Sequence, residues 1–118
     1  MEILYAVLAV GLGGFLGGMG RWALSLIPRA RVGTFAANMI AAVVLGIAVS
    51  GPGLVPLALG SGFAGALSTW STLAKEIGGL ARAKQWRVLT RYVLATVVIG
   101  IIAAHRGTVW AGRISGTF

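Results

Sequence analysis

The chain has no cysteine, no aspartate and a single histidine, His105. Without cysteine there is no disulfide, no thiolate metal site and no thiol nucleophile. The two acids are Glu2, at the very start, and Glu76, at the end of an apolar run. Hydroxyls with no carboxylate or imidazole beside them are poor nucleophiles, so enzyme chemistry lacks its groups. A lone His105 does not make a metal centre, since no second ligand is near it in sequence. Charge itself is scarce, at 10% of the 118 residues. The acids are so few that the net charge is +8.

What the chain does have is apolar length. Hydrophobic residues make up 58% of it, and the mean hydropathy is +0.93. Soluble domains of this size rarely have that composition. The length suits one domain over residues 1–118. Met1-Glu2-Ile3 lacks the basic flank of a signal peptide and opens a run too long for one, so it reads as a retained span. The expected architecture is an all-α integral membrane protein with four transmembrane helices. The spans fall at about 3–24, 34–49, 54–75 and 88–104. Each is near the ~20 residues that cross ~30 Å of hydrocarbon. The segment from Gly78 to Arg87 is basic and reads as interfacial.

The basic residues fall unevenly about these spans. The first connection carries Arg21, Arg29 and Arg31, and the third carries Lys75, Arg82, Lys84, Arg87 and Arg91. Only Arg106 and Arg113 lie on the other side. The positive-inside rule then places both basic connections in the cytoplasm and both termini outside the cell membrane. The positive charge reads as topology and contact with anionic lipid. No nucleic-acid-reading module is recognisable.

Gly13/Gly17 and Gly14/Gly18 form two overlapping small-xxx-small pairs, which allow helices to approach closely. The third span differs from the rest. Gly62-Phe-Ala-Gly-Ala-Leu-Ser-Thr-Trp-Ser-Thr-Leu-Ala-Lys-Glu76 mixes small residues with clustered hydroxyls. Both weaken a helix. Irregular backbone at membrane depth is tolerated only where protein buries it or it lines a wet cavity. A helix broken mid-membrane is therefore expected here, with freed carbonyls that suit a cation and donors that suit an anion.

Other polar residues allow two readings each. Asn38, four residues after Thr34 on one helical face, either glues helices together or lines a pore. Tyr92, Thr96 and Gly100 make a polar stripe in the fourth span; the plain alternative is an interfacial tyrosine and a threonine bonded back to its own helix. Arg21 marks the interface or faces an inner vestibule that draws in anions. Glu76, beside basic residues, reads most simply as a structural ion pair.

Together these residues resemble the small fluoride channels of the CrcB/Fluc family. Gly20-Arg21-Trp22 is similar to the family's close of the first span, and Gly33-Thr34-Phe35-Ala36-Ala37-Asn38 to its Gly-Thr-x-x-x-Asn opening of the second. The 62–76 stretch resembles its Gly-Phe-x-Gly-Gly-x-Thr-Thr-Phe-Ser-Thr-Phe-x-x-Glu signature. The resemblance implies a fluoride-specific channel subunit, giving passive fluoride export across the cell (inner) membrane as an antiparallel dimer. It implies a central structural sodium ion held by backbone carbonyls, which fall on Gly65 and Ser68. Asn38, Ser71 and Thr72 would line the fluoride pathway, with Trp70 at an aromatic position and Tyr92 and Thr96 as further polar steps. A small, strongly hydrated anion needs such donors to replace its water.

The chain departs from the pattern at Ala66, Ser68, Trp70 and, most sharply, Leu73, which has no ring where the signature has phenylalanine. With the uneven basic residues, this leaves homodimer and heterodimer with a homologous subunit both open. The alternative functions are a non-conducting structural partner in a heterodimeric channel and a small proton-coupled multidrug exporter. The second lacks the intramembrane carboxylate such transport uses.

Overall fold

A computed structural model describes residues 1–115. Five helices account for nearly all of them, with no strand among the described residues. Helix α1 (Glu2–Ser25) and helix α2 (Ala30–Ala48) are joined by a tight connection. Pro28 stands in it, and a proline disfavours helical backbone at the residue before it. Helix α3 is a π-wound stretch, Pro56–Ala64, that closes with one α turn, Gly65–Leu67. Helix α4 (Ser71–Arg82) and helix α5 (Trp86–Ser115) complete the chain.

Lengths of α1, α2 and α5 are about 36, 28 and 45 Å at 1.5 Å per residue. These three are long and apolar enough to cross a membrane by length and composition, α2 over Arg31–Ala48 and α5 over Trp86–Ile114. The expected third span is made of α3 and the start of α4, with Ser68–Trp70 between them outside any helix. Two other boundaries differ from expectation. Helix α2 begins four residues early, directly after Arg29, whose backbone is extended. Helix α5 runs well past Ala104, because His105 and Arg106 add charge but nothing that breaks a helix.

Two pairings set the layout: α1 packs on α3, and α2 packs on α5. Both rest on glycine. A Cβ at Gly13 would overlap the carbonyl of Ala58, and one at Gly17 the carbonyl of Phe63. The same holds between α2 and α5, for Gly46 against Ala104 and Gly107 against Val43. Backbones meet at these points with no room for a side chain. Gly14 and Gly18, expected to behave alike, do not: Gly18 has nothing within 4 Å of a built Cβ.

Few large side chains are buried. One core cluster joins Ala37, Ala41, Ala64 and Leu67, with Leu24, Val44 and Phe63 against it. A second joins Leu73, Leu80 and Tyr92, with Phe35, Ile77, Val88 and Leu89. Meanwhile Phe15, Leu16, Trp22, Leu94 and Ile101 are exposed on the outer faces. Helices that are apolar outside as well as inside suit an apolar solvent.

Candidate functional site

The interruption between α3 and α4 is the place where the polar groups meet. Every hydrogen bond from a side chain of one helix to another segment lands on Thr69–Glu76, among the described residues. The local cause is sequence: Ser68 takes an extended backbone, φ −71° and ψ 158°, directly after the apolar Leu67 that anchors the α turn in the core.

Asn38 reaches across from α2. Its Oδ1 accepts the Thr69 amide N–H at 2.8 Å, and its Nδ2 donates to the Thr69 carbonyl at 3.3 Å. Thr69 Oγ1 in turn accepts the Thr72 amide N–H at 3.2 Å. Thr69 thereby caps the first turn of α4, the role for which hydroxyl residues are favoured. Thr69 was missed from the sequence. Its signal was available, as a hydroxyl three residues before a helical amide. It was hidden by the other hydroxyls around it.

The side chains expected to act together form two groups. Asn38, Gly65, Ser68, Thr69, Trp70 and Thr96 line a cavity of about 570 Å³ whose walls are otherwise mainly apolar. Trp70 is 80% exposed. Thr96 Oγ1 is buried with no hydrogen-bond partner, so it is not bonded back to its own helix. In this cavity it is a donor without an acceptor.

The second group lies beside α4. Thr34, 2% exposed, donates to Glu76 Oε2 at 3.1 Å, and Tyr92 donates to Glu76 Oε1 at 2.7 Å. Both carboxylate oxygens are thus engaged by neutral hydroxyls. Glu76 is in no ion pair among the described residues, contrary to the simplest expectation. Tyr92 is buried within the chain. Arg21 Nη2 donates to Thr72 Oγ1 at 3.2 Å, bringing the end of α1 to the start of α4. Ser71 is exposed beside them. Leu73 lies between the two groups: it lines the cavity, yet is only 8% exposed and packs with Leu80 and Tyr92.

The backbone of the interruption is also chemically distinct. The carbonyls of Gly65 and Ser68 accept no hydrogen bond among the described residues. Gly65 and Ser68 are exposed within this chain, and carbonyl oxygens left without a donor suit a hard cation with oxygen preference. Among the described residues there is no group of three or more His, Cys, Asp or Glu that could hold a metal. Any cation here would be held by oxygens of the backbone.

Residues 8–108 match the family described as CrcB-like protein, Camphor Resistance (CrcB). The chain belongs to the CrcB family. Within it, this CrcB chain is 51% identical over 104 residues to the fluoride-specific ion channel FluC 2 of Corynebacterium diphtheriae, covering 88% of this chain and 94% of that one. It is 37% identical to the fluoride-specific ion channel FluC 1 of Geobacillus kaustophilus, over 88% and 96% of the two chains. With the fluoride-specific ion channel FluC of Thermococcus kodakarensis it shares 36% over 93% and 98%.

Proposed function

We propose that this CrcB protein is a subunit of a fluoride-specific channel that lets fluoride leave the cell passively. The observation that carries the reading is the convergence of hydrogen-bonding groups on one helix interruption, in a chain half identical to a named fluoride channel. Stripping water from fluoride is costly, so a pathway for it needs donors in close sequence. Thr96, Thr72, Ser71 and Tyr92 supply hydroxyls, and Trp70 supplies a ring edge and an indole N–H. Asn38 keeps one N–H beyond the one given to Thr69. Arg21, held at Thr72, adds positive charge where an anion would enter.

The freed carbonyls support the sodium assignment. Gly65 and Ser68 would hold the ion, and when bound it would supply a fixed positive charge beside the cavity. The exposed Trp70 and the cavity around it suit a second, antiparallel subunit. Thr34, Glu76 and Tyr92 tie the starts of α2 and α5 to α4. That puts both basic connections at one end of the helices. It supports a cytoplasmic end in contact with anionic lipid, with the termini outside.

Fluoride efflux from liposomes, read with an ion-selective electrode, tests the reading. Rapid fluoride release with chloride retained is the expected result; equal release of both anions would overturn it. A second reading has its own support. Leu73 is packed into this chain's own core, and eight of the ten Lys and Arg lie at one end. Both fit a subunit that completes a heterodimer without conducting. Release only on co-expression with a homologue of opposite charge bias would select that reading.

A further inference from the structure

We infer that Asn38 and Thr69 are positioning residues that hold the carbonyl site open, by diverting the two amides that a continuous helix would give to Gly65 and Ser68. The inference rests on the channel reading above and names what shapes its cation site.

The register makes the point. In an α-helix the N–H of residue 69 bonds the carbonyl of 65, and that of 72 bonds the carbonyl of 68. Here Thr69 N–H goes to Asn38 Oδ1 at 2.8 Å. Thr72 N–H goes to Thr69 Oγ1 at 3.2 Å. Each carbonyl assigned to the cation is thus one whose ordinary partner a side chain has taken. Nothing else donates to either oxygen among the described residues.

The two diversions depend on each other. Asn38 Nδ2 also holds the Thr69 carbonyl, so the backbone on both sides of the Thr69 Cα is tied to α2. That fixed backbone aims Thr69 Oγ1 at the Thr72 amide. The neighbours of Asn38 on its own helix, Ala37 and Ala41, are buried, which seats this face of α2 against α3. Asn38 therefore acts through the backbone, and any contact of its remaining N–H with fluoride is a separate matter.

The test is thermal unfolding of the purified full-length protein in sodium chloride and in N-methylglucamine chloride. A ligand that binds only the folded state raises the midpoint with its concentration. The wild type is expected to show a sodium-dependent rise. Asn38→Ala and Thr69→Val should lose most of that rise, and Thr69→Ser, which keeps the hydroxyl, should retain it. Leu80→Ala, a core change away from the cavity, should lower both midpoints and leave the rise intact. Asn38→Ala and Thr69→Val with a full sodium rise would overturn the inference. A wild type with no sodium response would instead overturn the sodium assignment. The structure of Asn38→Ala would then decide the positioning role: helix running through Ser68 upholds it, and an unchanged interruption ends it.

Discussion

The glycine crossings and the interruption are built by opposite means. At Gly13 and Gly17, and at Gly46 and Gly107, helices touch backbone to backbone, and no side-chain hydrogen bond joins them there among the described residues. At Thr69–Glu76 the contacts between segments are amides, hydroxyls, a carboxylate and a guanidinium. The crossings work by removing side chains and need only shape. The interruption works by supplying partners to backbone that a helix would otherwise satisfy itself. In an apolar surrounding both are stable, but only the second leaves groups over for an ion.

The largest effect should come from filling a crossing. Gly17→Ala places a Cβ against the Phe63 carbonyl, where backbone must move. Overpacking costs roughly 1–3 kcal/mol and more where backbone is the obstacle. Loss of the monodisperse species on size exclusion is expected. Gly18→Ala, one residue on, has open space and exchanges glycine for the best helix former. It should be neutral or stabilising by up to about 1 kcal/mol. Equal behaviour of the two would break the account of the crossings.

Next comes the carboxylate. Glu76→Gln removes the charge that Thr34 and Tyr92 both serve. Hydrogen bonds to charged groups contribute roughly 1.5–3 kcal/mol, and Tyr92→Phe, which loses one of them, should cost an amount in that range. A double-mutant cycle in thermal unfolding should show the two changes to be non-additive. Simple additivity would mean the 2.7 Å bond contributes little.

Much of this layout was legible in the residues, and the reasons for the exceptions differ. The bounds of α1 came within a residue, because an apolar run with a nearby proline has a clear end. Helix α5 runs past the expected end at Ala104, where Gly107 keeps that part of the helix packed on α2. The interruption's location follows from its hydroxyls, but the π winding of Pro56–Ala64, which packs against α1, has no signal in the residues. Asn38 stood out as a lone amide in an apolar helix. Its partner did not, because Thr69 bonds through its backbone, and a backbone amide has no signature in sequence.

The two aromatic positions sharpen the contrast from within the interruption. Trp70 is open and Leu73 is enclosed, three residues apart. Leu73→Phe restores the family's ring but must fit beside Leu80 and Tyr92, so a loss of roughly 1–3 kcal/mol is expected. Trp70→Phe should change stability by less than about 0.5 kcal/mol while altering fluoride flux. If Leu73→Phe were neutral in unfolding and raised flux, the core would have room for the ring and the non-conducting reading would lose its main support.

The smallest effect lies where α4 ends. Lys84 has φ +58°, a left-handed backbone that favours glycine. It is held there because Gln85 N–H reaches the Leu80 carbonyl at 3.0 Å and Lys84 N–H the Ala81 carbonyl at 3.1 Å, a Schellman end that fixes the turn into α5. A side chain in this region costs about 1 kcal/mol, so Lys84→Gly should raise the unfolding midpoint by a corresponding small amount. Fluoride flux should not change, because the turn shapes the end of α4 and leaves Thr69–Glu76 untouched. A flux change without a stability change would mean that the Lys84 charge, and not its backbone, matters to the ion. The polar region of the molecule would then extend beyond the interruption to its basic end.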